Sequence, residues 1–195
     1  MPPSANRFSY PIFLDLAGKR CVVVGGGKVA ERKCLTLLRT GAEVTVVSPA
    51  LTKRLSAYQE KGLIEHKPRE YRKSDLRSAV LVIAATDSEA VNRRVSRDAM
   101  AQHTPVNVVD QPSLCTFIVP SVVRRGPLSI AISTGGASPA MAKAIRKELE
   151  GLYGPEFSRF LRLLKDIRSK AMREIPDKKE RERFLKGLVE RIFAG

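Results

Sequence analysis

The sequence contains no tryptophan, and its 4 tyrosines and 7 phenylalanines do not interleave with its basic residues. A surface that stacks bases needs that interleaving, so no nucleic-acid partner is expected despite a net charge of +15. Histidine and cysteine are equally scarce. The 2 histidines stand apart as His66 and His103, and the 3 cysteines, Cys21, Cys34 and Cys115, follow neither C-x-x-C nor any other metal-ligand spacing. No protein-held metal is therefore expected. Long apolar runs are also missing. None approaches the ~18 residues of a membrane span, and the N-terminal MPPSANRFSYPIF lacks the basic-then-apolar layout of a signal peptide. The expectation is a cytoplasmic chain with no membrane partner.

What is present is enough for one full domain and a smaller appendage: 195 residues, 43% hydrophobic and 28% charged. The most informative stretch is Arg20 to Gly41, RCVVVGGGKVAERKCLTLLRTG. The apolar run Cys21 to Val24 stops at Gly25-Gly26-Gly27 and opens directly into a segment of helical period. There Ala30, Cys34, Leu37, Leu38 and Gly41 fall on one face. A buried strand, a glycine turn and an amphipathic helix form the first unit of a dinucleotide-binding fold, with Gly25, Gly27 and Ala30 in the three small positions of G-x-G-x-x-A. Gly25 allows the tight turn, Gly27 the close approach of a pyrophosphate, and Ala30 the packing of helix on strand, while the helix N-terminus faces the phosphate charge.

Further along, Phe8 to Leu16 reads as an extended lead-in, and Glu43 to Val47 as the second strand. A site that holds NAD by its ribose hydroxyls usually carries Asp or Glu after that strand. Here the residues are Ser48, Pro49 and Ala50, a departure that leaves NAD and NADP open, with Lys53 and Arg54 just beyond. Leu51 to Lys61 reads as a helix, Leu63 to His66 as a strand, and Tyr71 to Ala79 as a connecting turn of helix. Val80 to Ala84 is a strand apolar throughout, as expected with both faces covered. It ends in Ala84-Ala85-Thr86-Asp87, small residues including Thr86 where a strand would meet the cofactor. Ser88 to Gln102 is a helix capped by Asp87 or Ser88, and Val106 to Val109 the fifth strand. Strands alternating with helices predict an α/β fold with a parallel doubly wound sheet.

After Pro112 the pattern changes. Thr116 to Val123 and Leu128 to Ser133 are strand-like, separated by Arg124-Arg125-Gly126-Pro127, which fits an antiparallel hairpin. Thr134-Gly135-Gly136-Ala137 then leads to Ser138-Pro139, an N-cap followed by proline at the first helical position. That helix should run from Ala140 to about Glu150, stopped by Gly151, with two or three basic helices after Glu156. The expected division is 1–112 for the cofactor domain, 113–150 for a small α+β dimerisation and substrate region, and 151–195 for a helical region.

In order, VVVGGGKVAERK, VVSP, AATD, NVVDQP and FIVPSVVRRGPLSIAISTGGASPAMAKAIR resemble the precorrin-2 dehydrogenases. These occur alone and as the N-terminal part of siroheme synthase, whose methyltransferase half has no counterpart in these 195 residues. The resemblance runs from about Phe8 to Glu150. It implies NAD-dependent oxidation of precorrin-2 to sirohydrochlorin for siroheme or cobalamin, in some members also insertion of Fe2+ or Co2+, by a homodimer. It places cofactor contacts on Gly25, Gly26, Gly27, Lys28 and Val29 and on Ser48, Pro49 and Ala50. It puts the key carboxylate on Asp110, with Asn107 in the same N-V-V-D segment as a substrate contact. Thr134 stands where relatives often have Ser, and Ser113 where some carry Lys.

The residues themselves leave several roles open for Asp110. At the end of the fifth strand it is placed to take a proton as general base, to accept from a pyrrole N–H, to ligate a metal entering the macrocycle, or simply to form the turn before Gln111-Pro112. Thr134, Gly135, Gly136 and Ser138 form either an anion-holding loop at a helix N-terminus or a plain capped turn. A polycarboxylate tetrapyrrole would account for the basic excess, with Arg124 and Arg146 as substrate contacts beside Arg125, Lys143 and Lys147. Rival readings are a nucleotide-sensing regulatory module without catalysis and a nucleic-acid binder whose affinity falls steeply with salt.

Overall fold

The computed structural model describes residues 9–193. Phe8, the first residue of the expected lead-in, lies outside them. The first five strands are β1 (Arg20–Val24), β2 (Glu43–Val47), β3 (Ile64–Lys67), β4 (Leu81–Ala84) and β5 (Val106–Val108). They pair in parallel throughout, in the order β3-β2-β1-β4-β5. Between them run α1 (Lys28–Leu38), α2 (Lys53–Glu60) and α3 (Glu89–Ala101), with only a 3-10 turn, Lys73–Leu76, joining β3 to β4. The strand order changes direction at β1, so the crevice beyond the C-terminal ends of β1 and β4 is the ligand position of such a sheet.

Both faces of the sheet are covered because alternate side chains point to opposite faces. Cys21, Val23, Val44, Val46 and Ile83 pack with Ala30, Cys34 and Leu37 of α1. Val22, Val24, Val82, Ala84 and Val106 pack on the other side with Val95 and Ala99 of α3. Each fully buried valine or leucine contributes about 1.5–3 kcal/mol, and this continuous burial is why the strands read as apolar runs. Helix α2 begins two residues later than its pattern suggests, because Thr52 is its N-cap and accepts the Leu55 N–H at 3.2 Å.

One compact unit ends at Val119 and a second begins at Pro120. The second holds an antiparallel hairpin, β6 (Ser121–Arg125) and β7 (Leu128–Ile132), paired from Ser121↔Ile132 to Arg125↔Leu128. The expected strand Thr116 to Val123 is thus shifted. Thr116 is engaged by β5, while Arg124 and Arg125 stay in the ladder and the turn is Gly126-Pro127. Gly126, at φ +58, suits the first central position of a two-residue hairpin turn. Helices α4 (Pro139–Leu152), α5 (Glu156–Glu174) and α6 (Lys178–Phe193) follow. Gly151 lies inside α4 instead of stopping it. The end of α4 is fixed by Arg125, which donates to the carbonyls of Tyr153 at 2.7 Å and Glu150 at 3.0 Å. No helix among the described residues is long and apolar enough to cross a membrane.

Candidate cofactor and active site

The three glycines after β1 are required for different reasons. Gly25 has φ +117, and a Cβ there would lie 2.2 Å from the Ala85 carbonyl oxygen. A Cβ on Gly26 would lie 1.9 Å from the Ala50 carbonyl oxygen, and the Gly26 carbonyl accepts the Thr52 N–H at 3.0 Å. These two let the loops after β1, β2 and β4 close on one another. Gly27 is the N-cap of α1, no side chain caps that helix, and a Cβ on Gly27 would meet nothing within 4 Å. The space over Gly27 therefore leaves the first-turn N–H groups of α1, including those of Lys28 and Val29, open to an anion. That cradle fits a dinucleotide pyrophosphate.

The loop after β2 closes on itself. The buried Ser48 hydroxyl donates to the Ala50 carbonyl at 2.7 Å, and His66 Nε2 lies 2.9 Å from the Ser48 carbonyl. Ser48 thus shapes the loop, with Pro49 and Ala50 at its exposed tip. Thr52 Oγ1 donates to Glu31 Oε2 at 2.7 Å. Arg54 lies 3.7 Å from the other Glu31 oxygen and 5.8 Å above the Tyr58 ring. After β4, Thr86 is clamped by Asn92 of α3. Asn92 Oδ1 accepts the Thr86 hydroxyl at 2.8 Å, and its Nδ2 donates to the Thr86 carbonyl at 2.9 Å. Asn92 is only 4% exposed. Its place in the sequence, in the first turn of α3 beside Arg93 and Arg94, gave no sign of that role.

Asp110 stands two residues beyond β5, exposed, with φ +59. Among the described residues no hydrogen bond reaches its carboxylate. Its turn is closed by the Gln111 N–H on the Val108 carbonyl at 3.4 Å and braced by Cys115, whose Sγ accepts the Val108 N–H at 3.1 Å. Lys33 of α1 is a further residue the sequence reading missed. Burial pushes its ammonium below the usual range, as does the nearby Arg32, while the negative charge of Asp110 opposes both. Asn107 turns its amide to the Phe117 carbonyl at 3.1 Å, where it holds the chain leaving the sheet.

In the second unit, Thr134 and Ser138 brace one loop. Thr134 Oγ1 accepts the Ser138 N–H and donates to the Ser138 carbonyl, both at 3.1 Å, while Ser138 Oγ accepts the Met141 N–H at 3.1 Å as N-cap of α4. Either Ser or Thr supplies that hydroxyl. Gly135 and Gly136, at φ +62 and +90, let the loop reverse. Arg124 is exposed on β6, and the half-buried Arg146 pairs with Glu150 one turn along α4.

The sheet order, the glycine cradle and the uncapped α1 define an NAD(P)-binding Rossmann protein. Consistently, residues 12–121 match a family described as putative NAD(P)-binding, and residues 125–152 one described as sirohaem biosynthesis protein central. The solved structure of SirC, precorrin-2 dehydrogenase, is similar over 93% of this chain and 89% of that one, with a TM-score of 0.82 and 30% identity. The chain belongs to the precorrin-2 dehydrogenase family. It is 45% identical over 181 residues to the siroheme synthase of Thioalkalivibrio sulfidiphilus, covering 93% of this chain and 37% of that protein. For the siroheme synthase of Methylobacillus flagellatus the identity is 44%, over 94% of this chain and 37% of that protein. The chain thus spans less than half the length of these curated relatives.

Proposed function

We propose that the chain is an NAD-dependent precorrin-2 dehydrogenase, oxidising precorrin-2 to sirohydrochlorin in siroheme or cobalamin biosynthesis as a cytoplasmic homodimer. The observation that carries this reading is the exposed, unbonded carboxylate of Asp110 at the same sheet edge as the open cradle over Gly27. The oxidation removes one hydride and one proton from the macrocycle. Bound NAD supplies the hydride acceptor. Gly25, Gly26 and Gly27, with the N–H groups of Lys28 and Val29, hold its pyrophosphate. Ser48, Pro49, Ala50 and Thr86 line the loops on either side. Asp110 takes the proton or orients the ring by accepting a pyrrole N–H.

NAD is favoured over NADP because Arg54, one of the two cations following the β2 loop, is held by Glu31 and Tyr58. Thr134, Gly135, Gly136 and Ser138, with Arg124, Arg146 and Asn107, are assigned to the polycarboxylate substrate. On this reading residues 1–112 carry the cofactor, 113–150 the dimer contact and substrate loop, and 151–195 the helical region. Fe2+ or Co2+ would be a second substrate, with the ring nitrogens as ligands. Among the described residues no group of three His, Cys, Asp or Glu is placed to hold a metal.

The test is anaerobic conversion of precorrin-2 followed by absorbance, with NAD, NADP or neither. Sirohydrochlorin formed with NAD alone is the expected result. No conversion by a chain that still binds NAD would overturn the assignment and favour a nucleotide sensor. Adding Fe2+ or Co2+ to the product then reads chelation.

A further inference from the structure

Strand β5 is an edge of the sheet, so its outward N–H groups have no neighbouring strand to bond. Two side chains take over. Thr116 Oγ1 accepts the Val106 N–H at 2.8 Å, and Cys115 Sγ accepts the Val108 N–H at 3.1 Å. The same thiol lies 3.3 Å from the Val108 carbonyl and 3.4 Å from the Gln111 carbonyl, and its single S–H donates to one or the other. The Gln111 N–H closes this turn on the Val108 carbonyl through a long 3.4 Å bond, and the one sulfur braces it by tying residue 108 to residue 111. Asp110 lies between them in the left-handed region, which a non-glycine residue keeps when its surroundings fix it. The Gln111 side chain gives no help, since its Oε1 is buried without a partner. With no hydrogen bond to the Asp110 carboxylate among the described residues, the backbone turn alone sets where that carboxylate points.

We infer that Cys115 is the positioning residue of the active-site carboxylate, its thiol holding the 108–111 turn in the form that presents Asp110 to substrate. This rests on the reading of Asp110 as the proton-handling or ring-orienting group. Alanine or valine at 115 leaves the Val108 N–H and the Gln111 carbonyl without the sulfur, valine while keeping most of the volume. Serine restores both a donor and an acceptor.

The experiment measures kcat, KM for precorrin-2 and the dissociation constant for NAD in Cys115→Ala, Cys115→Val, Cys115→Ser and Asp110→Asn, with kcat followed over pH. For the alanine and valine variants kcat should fall on the order of tenfold to a hundredfold, as for a misplacement of about 1 Å. NAD affinity should stay within about twofold, as expected when only a transition-state contact is disturbed. Serine should recover most of the rate with the wild-type pH profile. Wild-type kcat in the valine variant, or serine no better than valine, overturns the inference. If Asp110→Asn keeps full turnover, the reading of Asp110 itself has failed; if it is inactive while the Cys115 variants are normal, only the role of Cys115 has. Should the alanine and valine variants not fold, methyl methanethiosulfonate on the folded wild type decides. Turnover lost with NAD affinity kept, and restored by dithiothreitol, supports the inference, and turnover retained after full modification overturns it.

Discussion

Gly26→Ala and Gly27→Ala differ by one position and should fail in opposite ways. In Gly27→Ala the new methyl enters space with nothing within 4 Å, at φ −79 and ψ −175, a conformation any residue adopts. Losing glycine at an N-cap costs some tenths to about 1 kcal/mol, and the stiffer unfolded chain returns about 0.4–1 kcal/mol. Melting should therefore barely change. The same methyl projects into the open space beside the α1 N–H groups, so it should push the pyrophosphate away from them. Loss of one charged hydrogen bond is worth about 1.5–3 kcal/mol, which is roughly a 10- to 150-fold weaker NAD complex. Gly26→Ala instead drives a methyl to 1.9 Å from a backbone carbonyl, which must move. Overpacking of this kind costs about 1–3 kcal/mol, a fall of roughly 2–12 °C in melting temperature at about 2–4 °C per kcal/mol. Differential scanning fluorimetry and NAD titration of the two variants separate the effects. Wild-type NAD affinity in Gly27→Ala would refute the pyrophosphate site, and a melting loss as large as that of Gly26→Ala would refute the open space.

Asn92→Ala removes the clamp on Thr86 from a buried position, so NAD affinity and the unfolding free energy from urea titration should both fall, the latter by about 1–3 kcal/mol; an unchanged NAD affinity would separate Thr86 from the cofactor. Burial alone would raise the Asp75 carboxyl, but hydrogen bonds from Arg69 and the Arg72 N–H, with the Arg69 and Lys67 charges, bring it below its ordinary value. The stability it adds is complete above the unfolded value of about 3.9 and is lost as pH falls through the lower folded value. Asp75→Asn should accordingly flatten the urea midpoint against pH below about 4, and an unaltered acid slope would contradict it. Burial pushes the Cys21 thiol up to about 11 and Cys34 to about 12, so iodoacetamide at neutral pH should label Cys115 alone in the folded chain. Mass spectrometry finding Cys21 or Cys34 modified first would contradict the packing of α1 on the sheet.

The parts of this molecule that sequence reading reached are those governed by local rules. The turn at Gly25, the helical face Ala30-Cys34-Leu37, the N-cap Ser138 and, as one of two candidates with Asp87, the N-cap Ser88 follow from backbone geometry and periodicity within a few residues. The parts it missed are held by partners distant along the chain. Arg125 fixes the end of α4 from 28 residues away, and the Ser48 carbonyl meets His66 18 residues on. Thr116 looked like the start of a strand because it is β-branched among apolar residues, yet its side chain and N–H both serve β5. Cys115 had no assignable role because an edge strand's spare N–H groups are invisible until the sheet order is known.

The same topology bears on Asp110. As a turn former, an aspartate accepts the backbone N–H two residues on. Here that residue is Pro112, which has no N–H to give. The turn is tied by the Gln111 N–H on the Val108 carbonyl and by Cys115 instead, and no donor among the described residues reaches the Asp110 carboxylate. A side chain with no internal partner, set at a left-handed φ beyond the edge strand's C-terminal end, adds nothing to the turn that asparagine or glycine would not supply as well or better. Asp110→Asn should therefore leave the melting temperature within a degree or so, about 0.5 kcal/mol or less, while turnover of precorrin-2 collapses. A melting loss of several degrees with turnover preserved would return Asp110 to the role of a turn residue.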